Sequence, residues 1–267
     1  MHPNIPLMFR AAIRQTAIEF GGEDFVDQLT PEIMSVFTEL ALRYPTSIND
    51  EAKEMTFSVA RRSVHVPFGL VNDSVPGNGT MFAFHLSRVA VRFFGSLVQL
   101  VNEYQDEGFT DHSQRTLDEL LDCLARDWRA LPSSLSAESR SVVADADQAR
   151  YAILTQTAAL RLTFLAFQEL LHVERIWRLS FRLRPLRQTS SQQLFFLYYA
   201  LDNCELSDAP FKTHEYLTER RLPAELRVNF PLRHMPEFAV AFGCGQGSAM
   251  RLPQNAICSV FNRSFFY

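Results

Sequence analysis

The chain has 267 residues, of which 47% are hydrophobic, so it can bury a sizeable core as one large domain or two small ones. Its 26 Lys and Arg residues and 30 Asp and Glu residues give a formal net charge of −4, which argues against general nucleic-acid affinity. No run of about 18 uninterrupted apolar residues exists, so we expect no transmembrane helix, and the apolar run at the start is too short for a signal peptide.

The N-terminal part of the chain has the pattern of two or three helices. Thr30-Pro31-Glu32 is typical of a helix start, because a capping residue precedes Pro in the first turn. Apolar residues follow at Ile33, Phe37 and Leu40. We therefore predict a helical N-terminal segment over residues 1–53.

The most strand-like stretch runs from Glu54 to Val71. Apolar and polar residues alternate around Phe57, and they alternate again at Val64 and Val66 before Pro67. Alternation over a short span bounded by Pro and Gly favours a pair of strands.

A long apolar stretch without Pro follows from Phe82 to Leu100, and its length predicts a helix. Arg88 and Arg92 stand four residues apart, so a helix places them on one face. Guanidinium groups are rarely buried without partners. Either both point outward, or they occupy positions that once needed other side chains.

Two further helices are predicted downstream. Residues 116–131 are amphipathic, with Leu117, Leu121 and Trp128 on one face, and residues 137–171 are largely helical and apolar toward their end. The Arg-rich stretch from Val173 to Arg187 could bind acidic partners or anionic lipid, but we prefer a solvated face of a connecting helix.

The C-terminal stretch carries a series of short motifs at fixed spacing. They are Arg227-Val228-Asn229, Pro236-Glu237-Phe238, Ala241-Phe242-Gly243-Cys244, Gly247-Ser248, Met250, Cys258 and Val260. This series resembles the tail of the neprilysin and endothelin-converting-enzyme family of zinc metallopeptidases, with Phe261 in place of the family's Trp. Upstream, Gln193-Leu194-Phe195-Phe196 and Thr213-His214-Glu215 resemble two further motifs of that family.

The resemblance implies a fold that is mainly α with a small β element. Residues 54–267 would form the thermolysin-like catalytic half of such a peptidase. Its zinc helix, HExxH, falls on the stretch from Arg88 to Arg92. The two zinc-binding His positions are then Arg88 and Arg92, and the general-base Glu position is Val89. Arg offers only donors and stays charged, so it does not ligate zinc.

The same resemblance identifies the other positions of the site. The third zinc ligand becomes Thr155, the Asp that orients a zinc His becomes Ala159, and the transition-state His becomes Arg221. The Arg that grips the substrate carbonyl is retained as Arg227. The family's substrate-binding strand positions, an Asn and an Ala that bind peptide by strand addition, are replaced by Glu54 and Met55.

Four cysteines allow three disulfide pairings, and four buried reduced cysteines are the alternative. The resemblance implies a bond between Cys123 and Cys258. The counterparts of Cys204 and Cys244 pair with the family's N-terminal half, which is missing here. These two are therefore expected to be orphan thiols or to form a bond with each other.

We interpret the chain as a pseudopeptidase that has lost its zinc ligands and general base and binds peptide or protein, with no cofactor. The alternatives are an active zinc metalloendopeptidase, if the alignment register is wrong, and a truncated helical product without a ligand. None of the seven His residues stands four before another. The family is extracellular or membrane-associated, but neither a signal peptide nor an anchor is visible, so we expect a fragment, a truncated product or an unseen export route.

Overall fold

A computed structural model describes residues 56–58, 63–65, 86–103, 109–132, 142–143, 146–172, 188–204, 209–219 and 221–260. The predicted helical segment over residues 1–53 lies outside these residues, and so do Glu54 and Met55. The chain divides into two compact units. The first unit comprises residues 1–115 and 162–181, and the second comprises residues 116–161 and 182–267.

The described residues are mainly helical, as the sequence predicts. Two strands come first, β1 (Thr56–Ser58) and β2 (Ser63–His65), and a π-helical turn (Leu86–Ala90) follows. The α-helices are α1 (Val91–Glu103), α2 (Asp111–Ala130), α3 (Ala146–His172), α4 (Ser191–Asp202), α5 (Ala209–Glu219), α6 (Ala224–Arg233) and α7 (Pro236–Ala241), and a 3₁₀ turn (Gln254–Ala256) comes last. Over the part of the chain described here, none of the helices combines the length and apolar character needed to span a bilayer.

The two strands pair antiparallel in a two-stranded sheet. Phe57 lies opposite Val64, and Thr56 and Ser58 lie opposite His65 and Ser63. The strands fall inside the stretch where the alternating pattern predicts them.

The helix predicted over Phe82–Leu100 is not α-helical throughout. Its described part opens with the π-helical turn and becomes α-helical at Val91, then continues to Glu103. A π turn bonds i to i+5 instead of i+4, and an uninterrupted apolar run gives no periodic signal that separates the two. In α1, Phe93 and Phe94 are fully buried and pack edge to face, with ring centroids 5.3 Å apart.

Helix α2 starts five residues before the predicted start, at Asp111. Thr110 provides the reason, because its hydroxyl accepts a hydrogen bond from the backbone N–H of Ser113 (3.2 Å) and so caps the first turn. The face that carries Leu117, Leu121 and Trp128 is buried, as the amphipathic pattern predicts.

Local hydrogen bonds define the ends of the helices near the C-terminus. A capping box begins α4, where Ser190 Oγ accepts from the N–H of Gln193 and Gln193 Oε1 accepts from the N–H of Ser190. After α7, Gly243 has φ +64°, a conformation that L side chains rarely adopt, and the N–H of Cys244 reaches back to the carbonyl of Ala239 (2.8 Å). This is a Schellman ending, which accounts for the Gly at this position.

Candidate functional site

Arg88 and Arg92, which we predict to occupy the zinc-binding His positions, lie in consecutive helical segments of the first unit. Arg88 lies in the π-helical turn and Arg92 in the first turn of α1, and both side chains are half-buried, as is Val89 between them. The backbone carbonyl of Arg92 accepts a hydrogen bond from the Ser96 hydroxyl (3.0 Å). These positions therefore present two cations and a branched apolar side chain, none of which binds a metal ion.

Thr155 and Ala159, the predicted positions of the third ligand and of its supporting Asp, lie one turn apart in α3, within the second unit. Thr155 is half-buried, and Ala159 is 1% exposed. A methyl group at Ala159 offers no acceptor that could orient an imidazole. A neutral hydroxyl at Thr155 is a far weaker ligand for zinc than a carboxylate.

Arg221, at the predicted transition-state His position, is exposed and forms an ion pair with Glu215. Its Nη1 lies 2.8 Å from Oε1 of Glu215, and the two side chains are 44% and 14% exposed. An exposed pair of this kind contributes little to stability. Arg221 thus has a specific partner in this chain.

Arg227, the predicted substrate-binding Arg, is 3% exposed and belongs to an internal hydrogen-bond network. Its Nε donates to Oδ1 of Asn203 (3.1 Å), and its Nη1 donates to the carbonyl of Leu222 (2.8 Å). Asn203 in turn donates to the carbonyl of Tyr199 (2.9 Å). The guanidinium therefore connects the end of α4 to the segment that precedes α6.

Tyr199 completes this network, because its hydroxyl donates to the backbone carbonyl of Arg227. Burial raises the pKa of Tyr199 well above its ordinary value, and the charge of Asp202 raises it further while the charge of Arg227 opposes the shift. The phenol is therefore held in its neutral, donating form.

A buried acid–base cluster joins α2 to the end of α6 and was not predicted from the sequence. Asp127 accepts from Arg233 Nη2 through Oδ1 (2.8 Å), and its Oδ2 lies 3.1 Å from Nε2 of His234. The Nδ1 atom of His234 accepts from the backbone N–H of Cys258 (3.1 Å). The His234 ring therefore contacts both Asp127 and the backbone of Cys258.

A disulfide joins Cys123 to Cys258, the pair that the resemblance implies. Cys123 lies one turn before Asp127 in α2, so the disulfide and the acid–base cluster hold the same segments together. Cys204 is an exposed free thiol and Cys244 a half-buried one. The expectations of a Cys204–Cys244 bond and of four reduced cysteines are therefore both wrong for this structure.

The second unit also contains a cavity of about 350 Å³ between the middle of α3, the start of α7 and the C-terminal segment. Arg161 and Glu237 both line it, and Nη1 of Arg161 donates to Oε2 of Glu237 at 2.7 Å. These side chains are 13% and 12% exposed. The other lining residues are Thr157, His234, Met235, Pro236, Gln254, Ile257, Cys258, Ser259 and Val260.

The sequence contains one signal for this ion pair. Arg161 interrupts an otherwise apolar stretch of α3, and a cation at such a position needs a partner. Its partner Glu237 lies 76 residues away, and Asp127 lies 106 residues from Arg233. Hydrophobic periodicity carries no information about pairs so far apart.

Comparison with known proteins identifies a family that this chain matches. A family model described as "Peptidase family M13" matches residues 95–258. The matched range includes Thr155, Ala159, Arg221 and Arg227, and it begins after Arg92.

Two relatives from Caenorhabditis elegans are similar over short stretches. Neprilysin-21 is 43% identical over 61 residues, which is 23% of this chain and 8% of that protein. Neprilysin-1 is 41% identical over 69 residues, which is 26% of this chain and 9% of that protein. The matched stretches thus span less than a tenth of the length of either relative.

Proposed function

Because the chain belongs to peptidase family M13, we propose that it is a non-catalytic member of the family, with the thermolysin-like catalytic fold of a neprilysin, that binds a peptide or protein without cleaving it. The observation that carries this proposal is the chemistry of three positions. By the resemblance described above, Arg88, Arg92 and Thr155 are the residues at the positions of the two zinc-binding imidazoles and the zinc-binding carboxylate, and none of these three side chains is a suitable zinc ligand.

The proposed loss includes the general base and the supporting residues as well as the zinc ligands. A metallopeptidase needs a carboxylate to take a proton from the metal-bound water, and Val89 has no ionisable group. Ala159 removes the group that would orient an imidazole, and Arg221 is engaged by Glu215. Restoring one position alone would therefore not restore the reaction.

The residues that the structure describes also contain no substitute for this site. A search of them finds no group of three or more His, Cys, Asp or Glu side chains able to hold a metal ion. Within that part of the chain, His234 faces Asp127 with one nitrogen and Cys258 with the other. His214 is exposed, and the acid beside it, Glu215, pairs with Arg221.

Peptide binding is proposed to use strand addition at the hairpin. Glu54 and Met55 immediately precede β1, and an extended peptide could pair with the edge of this strand through backbone hydrogen bonds. Arg227 is the proposed substrate-binding side chain of the family pattern. In this chain its Nε and Nη1 support the fold, so its contribution to a ligand would come through the position of α6.

The proposal extends to the free thiols. The family counterparts of Cys204 and Cys244 pair with an N-terminal half, and both thiols are unpaired in this structure. A separate or preceding N-terminal half is therefore a proposed partner of this chain, beside the peptide or protein ligand.

A cleavage and binding assay on one protein preparation tests the proposal. The purified chain is incubated with zinc and a mixture of peptides, products are followed by mass spectrometry, and retained peptides are identified after gel filtration. We expect retention without cleavage. Zinc-dependent cleavage that a chelator abolishes would show an active endopeptidase, and neither retention nor a cooperative unfolding transition would indicate a truncated product without a ligand.

A further inference from the structure

We propose that residues 252–260 form a strap that closes the cavity beside α3, and that reduction of the Cys123–Cys258 disulfide by a thiol releases this strap. Release would open the cavity while the helices of the second unit stay folded. The inference goes beyond the proposed function and is independent of whether the chain binds a peptide, because it concerns how the cavity opens.

The strap provides one wall of the cavity. Thr157 and Arg161 of α3, together with residues 234–237 between α6 and α7, provide the rest of the lining. The strap residues that line the cavity are Gln254, Ile257, Cys258, Ser259 and Val260. Loss of this wall would turn an enclosed volume of about 350 Å³ into an open groove.

The polar and covalent attachments of the strap meet at one residue. Among the described residues, the strap has one hydrogen bond to the rest of the unit, from the N–H of Cys258 to Nδ1 of His234 (3.1 Å), and its covalent link is the disulfide of the same cysteine. Its other hydrogen bond in this part of the chain, from the N–H of Ala256 to the carbonyl of Pro253 (2.9 Å), is internal. Both attachments therefore depend on the position of Cys258.

Burial gives the strap little further support. Cys258 and Val260 are 3% and 5% exposed, whereas residues 253–255 and Ser259 are exposed. A segment with few buried apolar side chains and few backbone hydrogen bonds opens at a lower free energy than a helix that carries the core. The strap can therefore open as a local event once its link to α2 is cut.

Reduction follows ordinary thiol–disulfide exchange. A thiolate attacks one sulfur of the bond, the sulfur–sulfur bond breaks, and the other cysteine leaves as a thiolate that takes up a proton. A second thiol attacks the mixed disulfide, so two thiols are oxidised to one disulfide while Cys123 and Cys258 both become thiols. Because Cys258 lines the cavity, the cavity gives a small thiol a route to this residue.

Hydrogen–deuterium exchange of the full chain, with and without dithiothreitol, tests the inference. Among the described residues, Ala256 and Cys258 are the strap residues whose amides have a protein acceptor. We expect both amides to exchange at least about tenfold faster once the disulfide is reduced, while α4 stays protected over the labelling time in which the strap exchanges. Mass spectrometry of the same sample shows whether the bond has been reduced.

Oxidation of Met235 reports on the cavity itself, because this side chain lines the cavity and is 2% exposed. The reduced chain is alkylated, freed of reductant and treated with hydrogen peroxide beside the native chain. We expect the sulfoxide of Met235 to form at least about tenfold faster in the reduced and alkylated chain. Met250, which does not line the cavity, should be oxidised at similar rates in the two forms.

Two sets of substitutions separate this disulfide from the other cysteines. Cys123→Ser removes the bond, so fast strap exchange should be present without reductant and unchanged by it. A chain with both Cys204→Ser and Cys244→Ser keeps the bond, so its response to reductant should match that of the native chain. The measurements on the native chain decide the matter if Cys123→Ser does not fold.

Three results would each overturn the inference. The first is a disulfide that millimolar dithiothreitol leaves intact in the folded chain. The second is strap exchange or Met235 oxidation that stays slow after reduction. The third is loss of protection in α4 together with the strap, which would show that reduction unfolds the unit instead of opening its cavity.

Discussion

The hydroxyl of Tyr199 donates a hydrogen bond to the backbone carbonyl of Arg227, the carbonyl that Pro231 leaves without its helical donor. Residue i+4 of Arg227 is Pro231, which has no N–H. A buried carbonyl without a partner is costly, and the phenol supplies the missing bond from α4. Arg227 therefore contributes to the fold through its backbone carbonyl as well as through its guanidinium.

Tyr199→Phe tests this relationship. We expect it to lower the free energy of unfolding by about 1–3 kcal/mol, because the buried carbonyl of Arg227 then loses the hydrogen bond from the phenol. In a Pro231→Ala background, position 231 regains an N–H, and the same substitution should cost less by about 1 kcal/mol. Urea unfolding of the native chain, the two single variants and the double variant measures the cost of Tyr199→Phe in each background. An equal cost in the two backgrounds would refute the link to Pro231.

Tyr199 should also make the fold sensitive to alkaline pH. Burial raises its pKa in the folded state, so above the unfolded pKa of about 10 the unfolded chain binds fewer protons than the folded chain. The contribution of Tyr199 to stability is present below pH 10 and is lost as pH rises above it, by at most about 1.4 kcal/mol per pH unit. Urea midpoints measured between pH 9 and 11 should fall more steeply for the native chain than for Tyr199→Phe, and parallel curves would contradict the shift.

The buried acid of the α2–α6 cluster should be among the most sensitive single positions of the second unit. Asp127→Asn removes the carboxylate that compensates Arg233, whose side chain is 5% exposed. Breaking a buried pair in this way costs about 3–5 kcal/mol. Glu215→Gln breaks the exposed pair with Arg221 and should cost about 0–1 kcal/mol. Thermal unfolding of both variants compares the two sites, and similar losses would argue against the burial of the cluster.

The disulfide should provide a large part of the stability of the second unit. It links residues 135 positions apart, and a long closed loop loses much entropy in the unfolded state. A chain with both Cys123→Ala and Cys258→Ala should be less stable by about 2–5 kcal/mol. The matched control replaces the free thiols Cys204 and Cys244 by Ala and should change stability little. An unchanged urea midpoint in the first variant would rule out a structural role for the bond.

Patterns within short windows predicted much of the helical architecture. The amphipathic period placed the buried face of α2, and alternation placed β1 and β2. Fixed motif spacing identified the family and the disulfide pair, because several short motifs must keep their distances at once. Neighbouring residues carry the signal for the helices and strands, whereas the disulfide pair, 135 residues apart, was implied by the family resemblance.

Features that depend on distant residues could not be predicted in this way. The pairs Arg161–Glu237 and Asp127–Arg233 join segments 76 and 106 residues apart, and no local pattern specifies the partner. The π turn at Leu86–Ala90 was missed because the surrounding run is apolar on all faces. The proposed loss of the zinc ligands rests on the identities of the residues at the predicted positions, and it stays a prediction.

Zinc content measured after equilibration is the most direct test of the account. The purified chain is dialysed against micromolar zinc, passed over a weak chelating resin and analysed by mass spectrometry for metal per chain. We predict far less than one zinc per chain, and more in a variant that combines Arg88→His, Arg92→His and Thr155→Glu. One zinc held per native chain, lost on mutation of Arg88 or Thr155, would contradict the proposal that the metal site has been lost.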